Sequence, residues 1–409
     1  MFPYCILHLG NKNPNQMKKL SLIVLAVFIS YPLFSQFNKG TLSSTNFYTE
    51  VPFLYEHNKV VIEASFNGIK GRYLLDTGAM CILFKDSTHK QTFPVIQKMN
   101  VGDASGKKQL TEVVSMPKIQ IGDLEYKDIP TLYVDMFPGP FKCLEYDGII
   151  GSNLLRFGAF KLDWKSQRMI IAKSCQVFGE QKKNGSKMKV NKMQSSPFVN
   201  IELNGKGLKD VLLDTGSGDA FSLQSSSANW LMQKAVIDEP LYVSSGTNSH
   251  GAWGAGEYIT RIYDGLNVEI GGVEFSQAVI ESGDGKSKIG MEVFELGDII
   301  LDYPQRRFFF NVDQPDVEMT VQSFGIDLVM RNDTFLVNGV WENTLAAQSD
   351  IKKGDVIVDV AGLNFSELSV CDIFTSIKGY AKNKDKLTFL YRKPNQEEVK
   401  QVTLERIIF

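Results

Sequence analysis

The sequence predicts a mainly β protein: two pseudo-twofold-related lobes, each a small β-barrel, and a third module that is a small β-barrel with two helices. Three observations predict it. The tripeptide Asp-Thr-Gly occurs twice, in YLLDTGAM (73–80) and in VLLDTGSG (211–218), each time ending an apolar, strand-like run. The stretches after the two copies repeat one another in apolar pattern. From about residue 318 that pattern stops, and the remaining residues match neither half.

The bulk properties set wide bounds. A protein of 409 residues has room for roughly two to four domains, and 43% hydrophobic with 22% charged residues is an ordinary globular composition. A net charge of −2 gives no electrostatic reason to expect nucleic acid or an anionic membrane as partner. Basic residues gather at 182–192, but Gly185 and Ser186 interrupt them and no aromatics interleave, which reads as a solvated linker.

Residues 1–36 read as a signal peptide with an upstream extension. Met17-Lys18-Lys19 is a short basic region, and Leu20–Phe34 is an almost unbroken apolar run. That length suits a secretory signal better than a membrane span. Residues 1–16 fit no part of such a signal, which places its start at Met17. Cleavage near Ser35-Gln36 and retention as an uncleaved anchor are both open, so a membrane enters only in the second case. The expected location is periplasmic, cell-envelope or secreted.

Duplication organises the middle of the sequence. IGSNLLRFGAFKLDWKSQRMII (150–171) and IGMEVFELGDIILDYPQRRFFF (289–310) agree in apolar pattern without a gap. Gly151 lies 75 residues after Asp76, and Gly290 lies 76 after Asp214. IQIGDLEYKDI (119–129) pairs with VEIGGVEFSQA (268–278) as strand, Gly turn and strand. The expected lobes are 47–173 and 195–312, joined by a linker at 174–194, with the third module at 318–409.

Two equivalent units can bring the same loop to a common axis, as in an isologous dimer. Asp76 and Asp214 would then face each other. Two carboxylates at such range share one proton, so one activates water while the other donates to a carbonyl oxygen. Gly78 and Gly216 permit the tight turns, and the Thr77 and Thr215 hydroxyls can bond across the axis. Position 79 is Ala but position 217 is Ser. A Ser217 hydroxyl donating to the Asp214 carboxylate would make Asp214 the more acidic member, with activity at mildly acidic to near-neutral pH.

Other chemistries find little support. Beyond the signal-like segment, Cys81, Cys143, Cys175 and Cys371 show no C-x-x-C or zinc spacing. They read as buried thiols or as one bridge. The four histidines are isolated, and no G-x-S-x-G occurs. No cofactor and no metal is expected.

These motifs resemble the aspartic peptidases, and the D-T-G-A form of the first copy with its compact lobes resembles the retropepsin-like branch, here fused in one polypeptide. The resemblance covers about 260 residues. It implies that Asp76 and Asp214 form the catalytic dyad, with Thr77, Gly78, Thr215, Gly216 and Ser217 in support. It also implies that Ile150-Gly151 and Ile289-Gly290 brace the two loops from beneath. Gly-bearing hairpins would close as flaps, and the candidates are 101–106 and the longer 244–258. Ordinary hairpin loops are the alternative, and Trp253 either meets substrate or packs on its own loop.

The module at 318–409 resembles a PDZ domain. Ser323-Phe324-Gly325-Ile326 stands where such domains carry their carboxylate-binding loop, and Lys353-Gly354-Asp355-Val356-Ile357 matches a characteristic turn and strand. Leu368–Tyr380 suits the helix beside the peptide groove, with strands at 386–392 and 399–408. The resemblance implies capture of a peptide's C-terminus by strand addition, with Phe324, Gly325 and Ile326 at the carboxylate. A structural or autoregulatory module is the rival, since Asp327 comes directly after that loop. The leading reading is an exported aspartic endopeptidase acting on protein or peptide substrates. The rival is a catalytically silent peptide-binding scaffold.

Overall fold

The computed structural model describes residues 37–408 except 89–90, 104, 138, 247–249, 252, 257, 313–318, 320, 333, 366 and 382–383. The signal segment expected at 1–36, with its start at Met17, therefore lies outside the described residues, as does most of the junction expected near 312–318.

The first lobe grows from hairpins whose side chains alternate in and out with the period of a strand. Tyr48–Glu56 buries Thr49, Val51 and Phe53 while the residues between them stay exposed. It pairs with Lys59–Phe66, which pairs with Ile69–Asp76. Gly148–Gly151 then lies parallel to Ile69–Asp76, with Leu75 opposite Ile150 and Asp76 opposite Gly151. Ile82–Phe84 runs antiparallel to that brace and parallel to Leu124–Val134. Lys108–Ile121 and Val95–Gly102 complete the sheet as a long hairpin.

The second lobe repeats this order. Pro197–Leu203 pairs with Lys206–Leu213, and Lys288–Ile289 lies parallel to the latter. Phe221–Gln224 runs antiparallel to this second brace and parallel to Val273–Gly283, which pairs with Thr260–Ile270. The sequence repeat is thus a repeat of strand connectivity. Both strands leading to Asp-Thr-Gly are flanked by a parallel partner from about 75 residues downstream.

The lobes join by continuous hydrogen bonding. Ala159–Asp163 of the first pairs antiparallel with Gly297–Asp302 of the second, Phe160 opposite Leu301 and Lys161 opposite Ile300. Each of these strands is the first arm of an equivalent hairpin, closed by Arg168–Ala172 and Arg307–Val312. Leu75, Ile150, Phe160, Leu213, Ile289 and Leu301 belong to one buried apolar cluster, so a single core runs through both lobes. The polar stretch at 174–194 is no slack linker. Ser186–Lys187 pairs with Arg307–Val312, and Lys189–Val190 pairs with Pro197–Leu203.

The third module is a five-strand path from Ile326–Arg331 through Thr334–Val340, Val356–Val360 and Lys386–Arg392 to Val399–Glu405, with the helix Val370–Ala381. Its own core contains Ile357, Ile373, Phe389 and Tyr391. It is fastened to both lobes. Trp341 bridges to Ser244 and packs with Ile262 and Val279 of the second lobe. Cys371 forms a disulfide with Cys143 of the first, while Cys81 and Cys175 are buried free thiols.

Asp327 sits at the junction with the second lobe. Its carboxylate accepts from Trp341 Nε1 at 3.1 Å and from Ser244 Oγ at 3.3 Å. Withdrawal from solvent pushes its pKa up to about 7 against those two hydrogen bonds. Glu281 is likewise pushed up to about 8, by burial and then by the charges of Asp219, Asp327 and Glu292. A carboxyl raised in the folded state holds a proton that the unfolded polypeptide has released. Its contribution is full below the ordinary carboxylate range and is lost as pH rises through the folded value. Thermal midpoints should therefore fall between pH 5 and pH 8, and Asp327→Asn should make that fall shallower. An unchanged slope in the variant would show that Asp327 ionises freely.

Candidate active site

The two Asp-Thr-Gly turns meet at the pseudo-twofold axis and are tied together reciprocally. Thr77 N–H donates to Thr215 Oγ1 at 3.1 Å, and Thr215 N–H donates to Thr77 Oγ1 at 3.0 Å. Each hydroxyl then donates one step further into the other lobe: Thr77 Oγ1 to Leu213 O at 2.6 Å, and Thr215 Oγ1 to Leu75 O at 2.9 Å. Both threonines are fully buried. Each hydroxyl accepts one bond and donates another, which fixes both turns in register.

The braces carry the turns from below. Ser152 N–H donates to Ala79 O and Met291 N–H to Ser217 O, both at 2.9 Å. Gly151 and Gly290 allow this approach, since a Cβ at Gly151 would meet Ala79 O at 2.6 Å and one at Gly290 would meet Ser217 O at 2.8 Å. Ile150 and Ile289 seal the layer beneath and are fully buried. Ser152 Oγ donates to Thr77 O at 2.7 Å and is itself 2.8 Å from Tyr303 OH.

Asp76 and Asp214 lie across the axis from one another. Asp76 Oδ1 accepts from the N–H groups of Gly78 (2.8 Å) and Ala79 (3.0 Å), and Asp214 Oδ1 accepts from Gly216 N–H at 3.0 Å. Each carboxyl leans over the opposite turn. A Cβ at Gly78 would meet Asp214 Oδ1 at 2.7 Å, and one at Gly216 would fall on the Asp76 carboxyl. Only glycine leaves this space. Burial and the nearby Asp214 charge push the Asp76 pKa up to about 7, while Lys59 and the two N–H donors pull it the other way.

The expectation for Ser217 is corrected. Its hydroxyl donates to Asp219 Oδ2 at 2.9 Å and accepts from Lys288 Nζ at 2.7 Å. A neighbouring ion pair, Lys288 with Asp219 at 3.0 Å, claims it, because two charged partners outcompete the single carboxylate oxygen it was expected to serve. Burial disfavours the Asp219 charge, yet Lys288 outweighs it and holds the pKa below the ordinary range. Burial likewise works against the Lys288 ammonium, and Asp219 and Asp214 outweigh it.

Three further side chains escaped sequence reasoning. Lys59, from the first lobe, donates to Gly216 O in the second lobe's turn. In the reverse direction Gln194 Nε2 donates to Gly78 O at 2.7 Å and Ser196 Oγ to the same oxygen at 3.2 Å. The carbonyls are equivalent, but one is held by a cation and the other by neutral groups. The repeat alignment could have flagged this, for the residues entering each hairpin differ between halves. Burial lowers the Lys59 pKa, while Asp219, Asp214 and Asp76 support its charge.

The two candidate flaps touch. Trp253 N–H donates to Asp103 Oδ2 at 2.6 Å, and Trp253 Nε1 donates to Val101 O at 3.3 Å. The Trp253 ring stands edge-on to Phe137 at 5.4 Å and so packs on the first lobe. In the third module, Gly325 has a positive φ of +80°, and a side chain there would meet Thr344 and Ala346. Gly325 O accepts from Trp341 N–H at 2.9 Å, Phe324 packs edge-on to Phe389, and Ile326 opens the edge strand opposite Val340. Asp327 points at Trp341 and Ser244, into the junction with the second lobe. Among the described residues no group of three or more His, Cys, Asp or Glu is placed to hold a metal ion.

Thr77→Ala would strand Thr215 N–H and Leu213 O, at about 1–3 kcal/mol for each buried group left unpaired. Thr215→Ala should match it by symmetry, whereas Thr77→Ser should stay near the parent in urea denaturation. An alanine variant as stable as the parent would contradict the role given to these bonds.

Known proteins divide along the same boundary. Residues 62–154 match the family model described as aspartyl protease, and residues 314–391 match the model described as PDZ domain. No curated protein matches the sequence. Among solved structures it is similar to a retropepsin-like aspartic protease from Rickettsia conorii, at 21% identity over 35% of this protein and 96% of that one, with a TM-score of 0.23. The protein thus combines a segment similar to aspartyl proteases, at 62–154, with a PDZ segment at 314–391.

Proposed function

We propose that the protein is an aspartic endopeptidase in which Asp76 and Asp214 share the acid and base work on a peptide bond. The observation that carries this reading is the pair of carboxyls held across one axis by reciprocal threonine bonds, with Asp76 raised to about 7. Asp76, raised to about 7, holds the proton, and Asp214 serves as the base in the proposed step. Water between them loses a proton to Asp214 as it attacks the carbonyl carbon, and Asp76 donates to the carbonyl oxygen. Breakdown of the tetrahedral species returns a proton to the leaving amine. Lys59, which donates to Gly216 O, sets a cation beside the pair and pulls the Asp76 pKa down against burial and the Asp214 charge.

Substrate on this reading is a protein or peptide strand lying beneath the contact between Trp253 and the 101–103 segment, which must open to admit it. A disulfide between residues 228 positions apart accords with an oxidising compartment, and with the signal-like segment it supports export. Among the described residues no helix is long and apolar enough to cross a membrane.

Cleavage of a denatured protein mixture across pH 3–8 tests the reading. Asp76→Asn and Asp214→Asn should each lower the rate at least ~100-fold, the scale of lost acid–base catalysis. A parent that cuts nothing at any pH would instead support a scaffold that binds peptides without hydrolysing them. The alkaline limb should fall near pH 7, as Asp76 loses its proton. Lys59→Met removes a cation that favours the ionised carboxylates, so the profile should move upward by roughly one pH unit. A downward shift would contradict the assigned charge.

A further inference from the structure

The PDZ module's ligand groove lies between an edge strand and a helix, and both are identifiable here. Ile326–Arg331 pairs on one side with Thr334–Val340 and ends the sheet on the other. Val370–Ala381 is the module's long helix, and it packs on the same core as that strand. A peptide joining such a sheet would lie between the two, bonding to the strand and resting on the helix.

That place already has an occupant. The single 3-10 turn Gly139–Cys143 of the first lobe lies against both the edge strand and the helix. Cys143 packs on the module's core, as do Leu328 of the strand and Val370, Phe374 and Ile377 of the helix. Phe374 also packs on the first lobe's cluster of Phe137, Leu144 and Tyr146, so the groove wall and its occupant form one apolar contact. The Cys143–Cys371 disulfide fixes the turn there.

We infer that the PDZ groove is filled in cis by residues 139–143, that the Cys143–Cys371 disulfide is the latch, and that opening it admits a peptide with a free, apolar C-terminus. A tethered occupant competes at an effective concentration set by its short connection. A covalent tie raises that competition beyond what any soluble peptide can match. The apparent affinity of an outside peptide is its intrinsic affinity reduced by the fraction of grooves that are open.

The opening agent is a dithiol. One of its thiolates attacks a sulfur of the bridge, forming a mixed disulfide and releasing the other cysteine, which takes up a proton. The second thiol of the reagent then displaces the remaining cysteine, so the bridge gains two electrons and two protons while the dithiol becomes a disulfide. Cys143 and Cys371 are both half-buried rather than enclosed, which leaves a path for the attack, whereas Cys81 and Cys175 are fully buried. Release would also reach the proteolytic lobes. Phe141 meets Phe137 edge-on at 5.5 Å, and Phe137 meets Trp253 at 5.4 Å, so the turn is continuous with the contact between the two candidate flaps.

Three forms of the full-length protein test this: oxidised parent, parent reduced with dithiothreitol, and the Cys143→Ser/Cys371→Ser variant. Near-ultraviolet circular dichroism checks that the lobes stay folded, and the reduced parent stands in should the variant misfold. The probes are fluorescent decapeptides ending in Val, Leu or Phe, each as free carboxylate and as amide. The reduced and variant forms should bind the carboxylate peptides at least tenfold more tightly than the oxidised parent and leave the amides unbound. Amide exchange at 139–146 and along 370–381 should quicken on reduction. Equal or absent peptide binding in all three forms overturns the proposal. Exchange unchanged by reduction also overturns it, because the turn would then hold its place without the latch. None of these readouts depends on hydrolysis.

Discussion

Everything in the two-lobed part depends on the exchange of hydrogen bonds between Thr77 and Thr215. Two carboxyls cannot be brought together in water without repelling, and the repulsion grows as solvent is removed. The structure meets that cost with four buried hydrogen bonds that cross the axis in both directions. They need the same residue twice, in the same turn, on strands entering from opposite sides. The duplicated sheet and the continuous interlobe pairing supply that geometry.

Pseudosymmetry supplies the frame, and the contacts around the two turns break it. Equivalent carbonyls, Gly78 O and Gly216 O, receive a neutral amide and an ammonium respectively. A perfect twofold would leave the shared proton evenly divided. Half-buried Lys59 at the second lobe's turn, together with the Lys288–Asp219 pair beside Ser217, makes the two halves electrostatically unequal. Fusion of the two lobes into one polypeptide is what permits such one-sided substitutions.

Much of this was legible in the sequence because it rests on short-range pattern. Apolar runs ending in Asp-Thr-Gly mark strand and turn together, and the Gly151 and Gly290 spacings mark strands that return to the same place. The Ser217 expectation failed for a different reason. It considered one carboxylate, whereas the fold delivers Lys288 and Asp219 to the same hydroxyl from the brace strand and from the turn itself. Lys59, Gln194 and the Cys143–Cys371 bridge were hidden likewise, because each joins segments far apart in sequence that only the folded sheets bring together.

The central claim is that Asp76 and Asp214 titrate as one unit, and carbon-13 NMR of the labelled aspartate carboxyls measures that directly. The account predicts one carboxyl, Asp76, titrating near pH 7, and a fall in that value when Asp214→Asn removes the neighbouring charge. Two carboxyls that titrate independently in the ordinary range, with Asp76 indifferent to the Asp214 substitution, would contradict it.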